Sequence, residues 1–249
     1  ILDDFRVTYG FFTRSGGTSE KPFDSLNCSF NNEDFSNNVK ENLELVRKEL
    51  NLDTIIQLNQ VHSARVITLK NENYNLKDAD GLVTNLKGIG LSILGADCAP
   101  ILFYDNVLKI IGACHAGWRG AVNNIIETTI TKMENLGSKR NNITAIIGPT
   151  IHKKSYEIKE DVAKIVKSST FYKENSSILF DKKKGEYLFD LPLLLKESLK
   201  LSKIKKIGDV DRDTYANSNL FFSHRRSTHE GTSQKVRTGR QISVIGILN

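Results

Sequence analysis

The stretch from Gly88 to His115, "GIGLSILGADCAPILFYDNVLKIIGACH", carries three strand-like apolar runs in succession. The break between the first two falls at "GADCAP", and no helical spacing separates any of them. Parallel strands wound in βαβ fashion need a long crossover, usually a helix, between neighbours. Three consecutive strands therefore point away from an uninterrupted βαβ fold and toward sheets of mixed direction. The flanking segments supply the helices. "NVKENLELVRKEL" (38–50) places Val39, Leu43, Val46 and Leu50 on one face. After "GWRG", Val122, Ile126, Ile130 and Met133 share a face of a helix expected to begin at Ala121 and to stop at Gly137. Further helices are expected near 159–168 and 190–201, the second opened by Asp190 and Pro192. Strands are expected at 7–14, 64–69, 78–85, 143–149 and 240–248. The fold class is α+β, or an α/β sandwich: a single domain over residues 1–249 with mixed β-sheets flanked by helices.

Composition narrows the class of function. Hydrophobic residues make up 39% of the 249, enough for a core and too many for a disordered chain. No apolar run is long enough to span a bilayer. The opening "ILDDFRVTYGFF" lacks the basic start and long apolar run of a signal peptide. Three cysteines, an odd number, do not form a disulfide framework, and a reducing cytoplasm is expected. The net charge of +6 includes lysine runs such as "KKK" at 182–184, read as a solvated face. No nucleic-acid-binding module accompanies it. The expected partners are small anionic or polar molecules, with neither nucleic acid nor membrane, and the protein is expected to be a monomer or a weak homo-oligomer.

Three segments end a strand with a metal-capable side chain: His62 in "NQVHSARV", Cys98 in "GADCAPI" and His115 in "GACHAGWRG". Two imidazoles and a thiolate are good zinc ligands, and three protein ligands leave the open fourth position of a catalytic site. Cys114 adjoins His115 in an extended strand, so it faces the core if His115 faces the site. The same residues also fit a thiol hydrolase, with Cys98 as nucleophile, a histidine as base and Asp97 as its orienter. Gly117 and Gly120 before a helix suggest an anion held at a helix N-terminus, with Arg119 adding a bidentate contact. Arg14, Asn27, Asn59, Gln60 and Asp80 sit at turns, and "FFSHRRSTHEG" gathers His224, Arg225, Arg226 and His229. Arg226 is read as structural. His152 is read as a surface loop residue.

The segments "GFFTRSGG", "SLN", "NQVHSARV", "DADGLVTN", "GADCAPILFYD", "ACHAGWRG", "FFSHRR" and "TGRQISVIGI" occur in an order that resembles the laccase-domain family. It is also called the multicopper polyphenol oxidase or YfiH-type purine nucleoside phosphorylase family. The resemblance runs from about Tyr9 to Leu248. It implies a zinc ion on His62, Cys98 and His115, with copper as the alternative metal. It also implies phosphorolysis of adenosine, guanosine, inosine or methylthioadenosine, and deamination of adenosine. Zinc deaminases need a carboxylate that moves the proton. Asp97 and Glu157 are the candidates, Asp97 adjoining a ligand. Arg119 is the candidate for holding phosphate in catalysis, and Arg14, Asn27, Gln60 and Arg225 are expected to bind substrate. Copper-dependent phenol oxidation is the rival activity, and five histidines are few for a multicopper cluster. Three positions depart from the family pattern: Tyr9 for His, and Ser155 and Asp213 for Cys. The loop between "HRR" and "TGRQ" is longer than the pattern.

Overall fold

The structure, a computed structural model, describes residues 4–71, 78–231 and 237–249. Part of the long loop before "TGRQ" lies outside the described residues. Thirteen strands are described: β1 (Val7–Phe11), β2 (Thr54–Ile56), β3 (Val66–Thr68), β4 (Gly81–Thr84), β5 (Ile89–Gly95), β6 (Ala99–Asp105), β7 (Ile110–Ala116), β8 (Ile143–Ile147), β9 (Glu157–Lys159), β10 (Leu179–Lys183), β11 (Glu186–Phe189), β12 (Lys206–Asp209) and β13 (Gln241–Ile247). The helices are α1 (Ser36–Glu49), α2 (Trp118–Val122), α3 (Ile125–Glu134), α4 (Glu160–Ser168), α5 (Thr170–Glu174), α6 (Leu191–Leu201) and α7 (His224–Glu230).

Two sheets face each other. One has the order β1-β13-β5-β2 and the other β12-β8-β6-β7-β4-β3. Both are mixed: β2 runs parallel to β5, while β13 pairs antiparallel with β1 and β5. In the larger sheet β12–β8 and β3–β4 are the parallel pairs. The consecutive runs seen in the sequence are therefore divided: β5 belongs to the smaller sheet, and β6 and β7 to the larger. Only Ala96, Asp97 and Cys98 join β5 to β6, so the chain crosses between sheets at that point.

Period-2 alternation assigns each strand residue to a layer. In β7, Ile111 and Ala113 enter the core between the sheets with Leu102, Leu91, Ile93 and Ile245. Ile110, Cys114 and Ala116 point the other way, into a core with Ile126, Ile130 and Met133 of α3 and Leu194, Leu195 and Leu199 of α6. Both faces of β7 are covered, which explains its unbroken apolar sequence. On the outer side of the smaller sheet, Val46 and Leu50 of the α1 region pack with Ile242 and Val244 of β13. The layers run helix, sheet, sheet, helices, and the class is α+β as expected.

The helix expected from Ala121 begins earlier, at Trp118, and is broken. Asn124 adopts φ 65°, a left-handed conformation that Asn tolerates better than most residues, and separates α2 from α3. Gly137 ends the run at φ 108°, with the Ser138 N–H bonded to the Met133 carbonyl at 3.1 Å. Asp190 caps α6 by accepting from the Leu193 N–H at 3.0 Å. The antiparallel sheet β10-β11-β9 is an element the sequence did not announce. Its strands are short, and the lysine run 182–184 stands exposed at its hairpin turn.

Leu102 is fully buried between the sheets. Leu102→Ala should lower unfolding stability by about 3 kcal/mol, through lost burial and the cavity left behind, as read from a denaturant titration.

Candidate metal centre and its cavity

His62, Cys98 and His115 come from two connections and one strand and meet at one end of the sandwich. His62 lies in the loop from β2 to β3, Cys98 in the β5–β6 crossover, and His115 near the end of β7. Their ligand atoms lie within 4.8 Å of one another. The Cys98 Sγ is 3.9 Å from the His62 Nε2, and the two imidazole rings stand edge to face at 4.9 Å. His62 has φ 59° and Asp97 has φ 93°. Left-handed backbone at a non-glycine residue costs energy and is held only where the surroundings fix it. Here it occurs at a ligand and beside a ligand. Gly117 explains part of the glycine-rich turn, because a Cβ there would come 2.8 Å from the Cys98 Sγ and 3.3 Å from the His62 Cδ2.

Asp80 organises this cluster. One carboxylate oxygen lies 2.8 Å from the His115 Nδ1 and 3.0 Å from the His62 N–H. The other accepts from the Ser63 N–H at 2.6 Å and the Ser63 hydroxyl at 2.7 Å. A carboxylate on Nδ1 turns Nε2 toward the cluster, the usual support for a histidine that ligates metal. Burial would raise the Asp80 carboxyl, but His115 and Ser63 outweigh it and bring it down to about 2. The sequence marks Asp80 only as a turn residue in "DADG".

The thiols divide sharply. Burial pushes Cys28 and Cys114 up to about 12. Burial also opposes ionisation of Cys98, but His115 and His62 prevail and bring it down to about 6. His115 is correspondingly raised to about 9, its burial outweighed by the Cys98 thiolate and Asp80. Cys114, fully buried on the helix side, faces the core as expected. The donor set fits zinc. Bonds of about 2.0 Å to nitrogen and about 2.3 Å to sulfur set tetrahedral ligand atoms roughly 3.5 Å apart, close to the separation of Cys98 and His62.

The cluster opens into a cavity of about 360 Å³, also lined by Gln60, Asp97, Tyr156, His224, Arg225 and Arg240. Gln60 is clamped to β5 by both amide ends, to the Leu94 carbonyl and the Leu94 N–H, each at 2.8 Å. Asp97 accepts from the Thr214 hydroxyl and the Arg225 N–H, each at 2.7 Å. Arg240 was not singled out from the sequence, where it lies in the strand-like "TGRQISVIGI".

The structure does not bring every expected residue to this cavity. The Glu157 carboxylate pairs with Lys182 on the surface, and only its backbone carbonyl reaches inward, to Arg225. Arg14 is bound by the Asp24 carbonyl and carboxylate and stacks 4.5 Å above Phe222. Asn27 is fully buried and bonds Asn32, Asp34 and the Arg240 N–H. Arg119 is exposed over Trp118 at 4.6 Å. The expected helix N-terminus after Gly120 is also displaced, since Gly120 lies inside α2, a helix of five residues. A Cβ on Gly120 would meet the Ser63 and His115 carbonyls at 3.1 and 3.3 Å, so that glycine serves close packing.

Of the departures from the family pattern, Tyr9 packs at the edge of the core between the sheets. Ser155 and Asp213 prove to be partners, the Ser155 hydroxyl donating to the Asp213 carboxylate at 2.7 Å. The two cysteine positions are replaced by one hydrogen-bonded pair, beside His152, whose N–H reaches Asp213 at 3.4 Å.

Fold and site together define a helix-flanked double sheet with a His-Cys-His cluster at one end. The family described as multi-copper polyphenol oxidoreductase laccase matches residues 8–248. A purine nucleoside phosphorylase of Rickettsia prowazekii is 35% identical over 92% of this chain and 92% of its own. Purine nucleoside phosphorylase YfiH of Escherichia coli is 31% identical over 95% of this chain and 92% of its own. The crystal structure of a Bacillus licheniformis hypothetical protein YfiH superposes with a TM-score of 0.89 at 30% identity, covering 97% of this chain and 92% of that one. The chain belongs to the multi-copper polyphenol oxidoreductase laccase family.

Asp80→Asn should weaken zinc affinity roughly 10- to 100-fold by releasing the His115 ring, measured by competition with a chromogenic chelator. In metal-stripped protein, Cys98 should be the thiol alkylated near neutrality. Its rate should rise as pH increases through about 6, while Cys28 and Cys114, pushed up to about 12, stay unreacted in the folded state, as read by peptide mass mapping.

Proposed function

We propose that this protein is a zinc-dependent purine nucleoside phosphorylase that also deaminates adenosine. The observation that carries this reading is the His62–Cys98–His115 cluster, three candidate ligands with no fourth among the described residues, opening into a cavity lined by cationic and hydrogen-bonding residues. Relatives named purine nucleoside phosphorylase, matched over nearly the whole chain, support an enzyme of this kind. A cavity of about 360 Å³ falls in the range of small-molecule sites.

In this reading His62, Cys98 and His115 hold the ion, and Asp80 orients His115 and the loop that carries His62. Zinc bound there supplies a positive charge that polarises oxygen and acidifies water. In phosphorolysis a phosphate oxygen bonds to C1′ of the ribose as the bond from C1′ to the base breaks, and the base takes up a proton. In deamination water adds at C6 and ammonia leaves. Both reactions need a proton moved near the cluster. Asp97 fits that task better than Glu157, because Asp97 lines the cavity while the Glu157 carboxylate is paired with Lys182 outside it. Each Asp97 oxygen accepts one hydrogen bond and keeps a further lone pair for a proton. Gln60 and Arg225 stand on the cavity wall for substrate. Adenosine, guanosine, inosine and methylthioadenosine are the substrates we infer, with free base and the sugar 1-phosphate as products.

Copper oxidation of phenols is the second reading. The donor set also takes copper. Among the described residues only one group of histidine, cysteine and carboxylate side chains is arranged for a metal, and it contains two imidazoles. That supports a single ion rather than a multicopper cluster. A reducing compartment suits the three free cysteines, so we place the enzyme in the cytoplasm. No helix among the described residues is long and apolar enough to cross a membrane.

The test is a metal count on protein purified without added metal, joined to adenosine turnover with and without phosphate. The expected outcome is near-stoichiometric zinc, adenine released only with phosphate, and inosine formed without it. Cys98→Ser should lose both the zinc and the turnover. Full turnover in metal-free protein would overturn the zinc reading, and an unmetallated Cys98 whose alkylation abolishes that turnover would establish the thiol hydrolase instead.

A further inference from the structure

Arg14, Arg225, Arg226 and Arg240 differ in how much of each guanidinium is already in use. Arg226 donates to the carbonyls of Thr214, Tyr215 and Phe221. Arg14 donates to Asp24 and to the Ser218 carbonyl. Arg240 uses Nη1 alone, bonded to the Thr238 and Gly239 carbonyls at 3.0 Å. Arg225 likewise hydrogen-bonds through Nη1 alone, to the Glu157 carbonyl at 2.7 Å, with its guanidinium carbon 5.3 Å from the centre of the Tyr156 ring. Among the described residues, the Nε and Nη2 groups of Arg240 and Arg225 have no hydrogen-bond partner, and neither guanidinium has a carboxylate counter-ion. Both side chains line the cavity that holds the ligand cluster.

Their backbones are firmly placed. The Arg240 N–H donates to Asn27 Oδ1 at 2.9 Å, and its carbonyl accepts from the Cys28 N–H at 3.1 Å. The Arg225 N–H donates to Asp97 Oδ2 at 2.7 Å. Asn27 and Asp97 thus hold in position the residues that carry the free edges. A cation taken out of water without a counter-ion is costly. Burial works against the Arg240 charge, and only the more distant fields of Cys98 and Asp97 favour it. The free Nε–Nη2 edge of a guanidinium is the fork that matches two oxygens of a phosphate.

We propose that Arg240 and Arg225 form an oxyanion subsite in the wall of this cavity, and that the group it takes is a phosphate. The identity of that phosphate as the free orthophosphate of phosphorolysis rests on the function proposed above. A nucleoside monophosphate presents the same chemistry, so both are tried.

The test measures binding of inorganic phosphate, and separately of adenosine 5′-monophosphate, to the protein as purified, by isothermal titration calorimetry. It is paired with the KM for phosphate in nucleoside phosphorolysis. Arg240→Gln and Arg225→Gln should each weaken phosphate binding roughly tenfold or more, the size expected for a lost charged hydrogen bond. The KM for phosphate should rise in parallel, with the nucleoside KM moving less than about threefold and zinc content unchanged. Arg240→Lys keeps the charge without the fork and should fall between. Lys164→Gln, an exposed cation of α4, should leave binding unchanged. Tighter binding of the monophosphate than of orthophosphate, lost in the same two variants, keeps the subsite and makes a nucleotide its source. Phosphate binding that survives in folded Arg225→Gln and in Arg240→Lys or Arg240→Gln overturns the proposal, as does binding lost in Arg119→Gln alone. Arginine-dependent phosphate binding without phosphorolysis keeps the subsite and refutes the reaction. Phosphorolysis with an unchanged phosphate KM in the variants does the reverse.

Discussion

Asp80 has no exposed surface, and its two oxygens gather groups from separate parts of the chain. The His62 and Ser63 N–H groups fix the loop between β2 and β3, and the His115 ring fixes the end of β7. The Asp80 carbonyl accepts from the His115 N–H at 2.7 Å, so main chain and side chain join the same two segments. A buried carboxylate is tolerable only when it is surrounded by donors in this way. Removing it would leave the loop with unpaired N–H groups and His62 without support for its left-handed backbone. Cluster geometry, ring orientation and local strain all depend on this one side chain.

Much of this was legible in the sequence, for reasons that can be named. The apolar runs of β5, β6 and β7 are long because the sheets they belong to are covered on both faces, and such runs announce strands. Asp190 with Pro192, and Gly137, mark helix ends through local chemistry that needs no tertiary context. His62, Cys98 and His115 stood out because each follows or ends a strand beside small residues. What the sequence could not convey was direction. Arg14 and Arg225 look alike in a string of letters, yet one is wrapped by Asp24 and Phe222 and the other borders the cavity. Glu157 shares a motif with Tyr156, but Tyr156, just before β9, lines the cavity while Glu157, the first residue of β9, meets Lys182. Asn123 and Asn124 interrupt a good amphipathic pattern, and only the backbone shows that the second of them breaks it.

Ser155 and Asp213 are direct partners in the fold. Each departs from the family pattern in isolation. They lie 58 residues apart in sequence and share one hydrogen bond, so the Ser155 hydroxyl is satisfied by the Asp213 carboxylate. Neither residue lines the cavity around the cluster. The wall of that cavity comes instead from Tyr156, Arg225 and Arg240, which arrive from widely separated segments.

The crossover from β5 to β6 is one of two places where a ligand-bearing connection passes from one sheet to the other. The loop from β2 to β3 is the second, since β2 belongs to the smaller sheet and β3 to the larger. Cys98 sits on the first of these bridges and His62 on the second, while His115 belongs to the larger sheet alone. An ion held by all three would therefore act as a rivet through the sandwich, fastening both bridges to β7. Relative sliding of the sheets would have to stretch metal–ligand bonds, so the two layers would share one mechanical fate at this end.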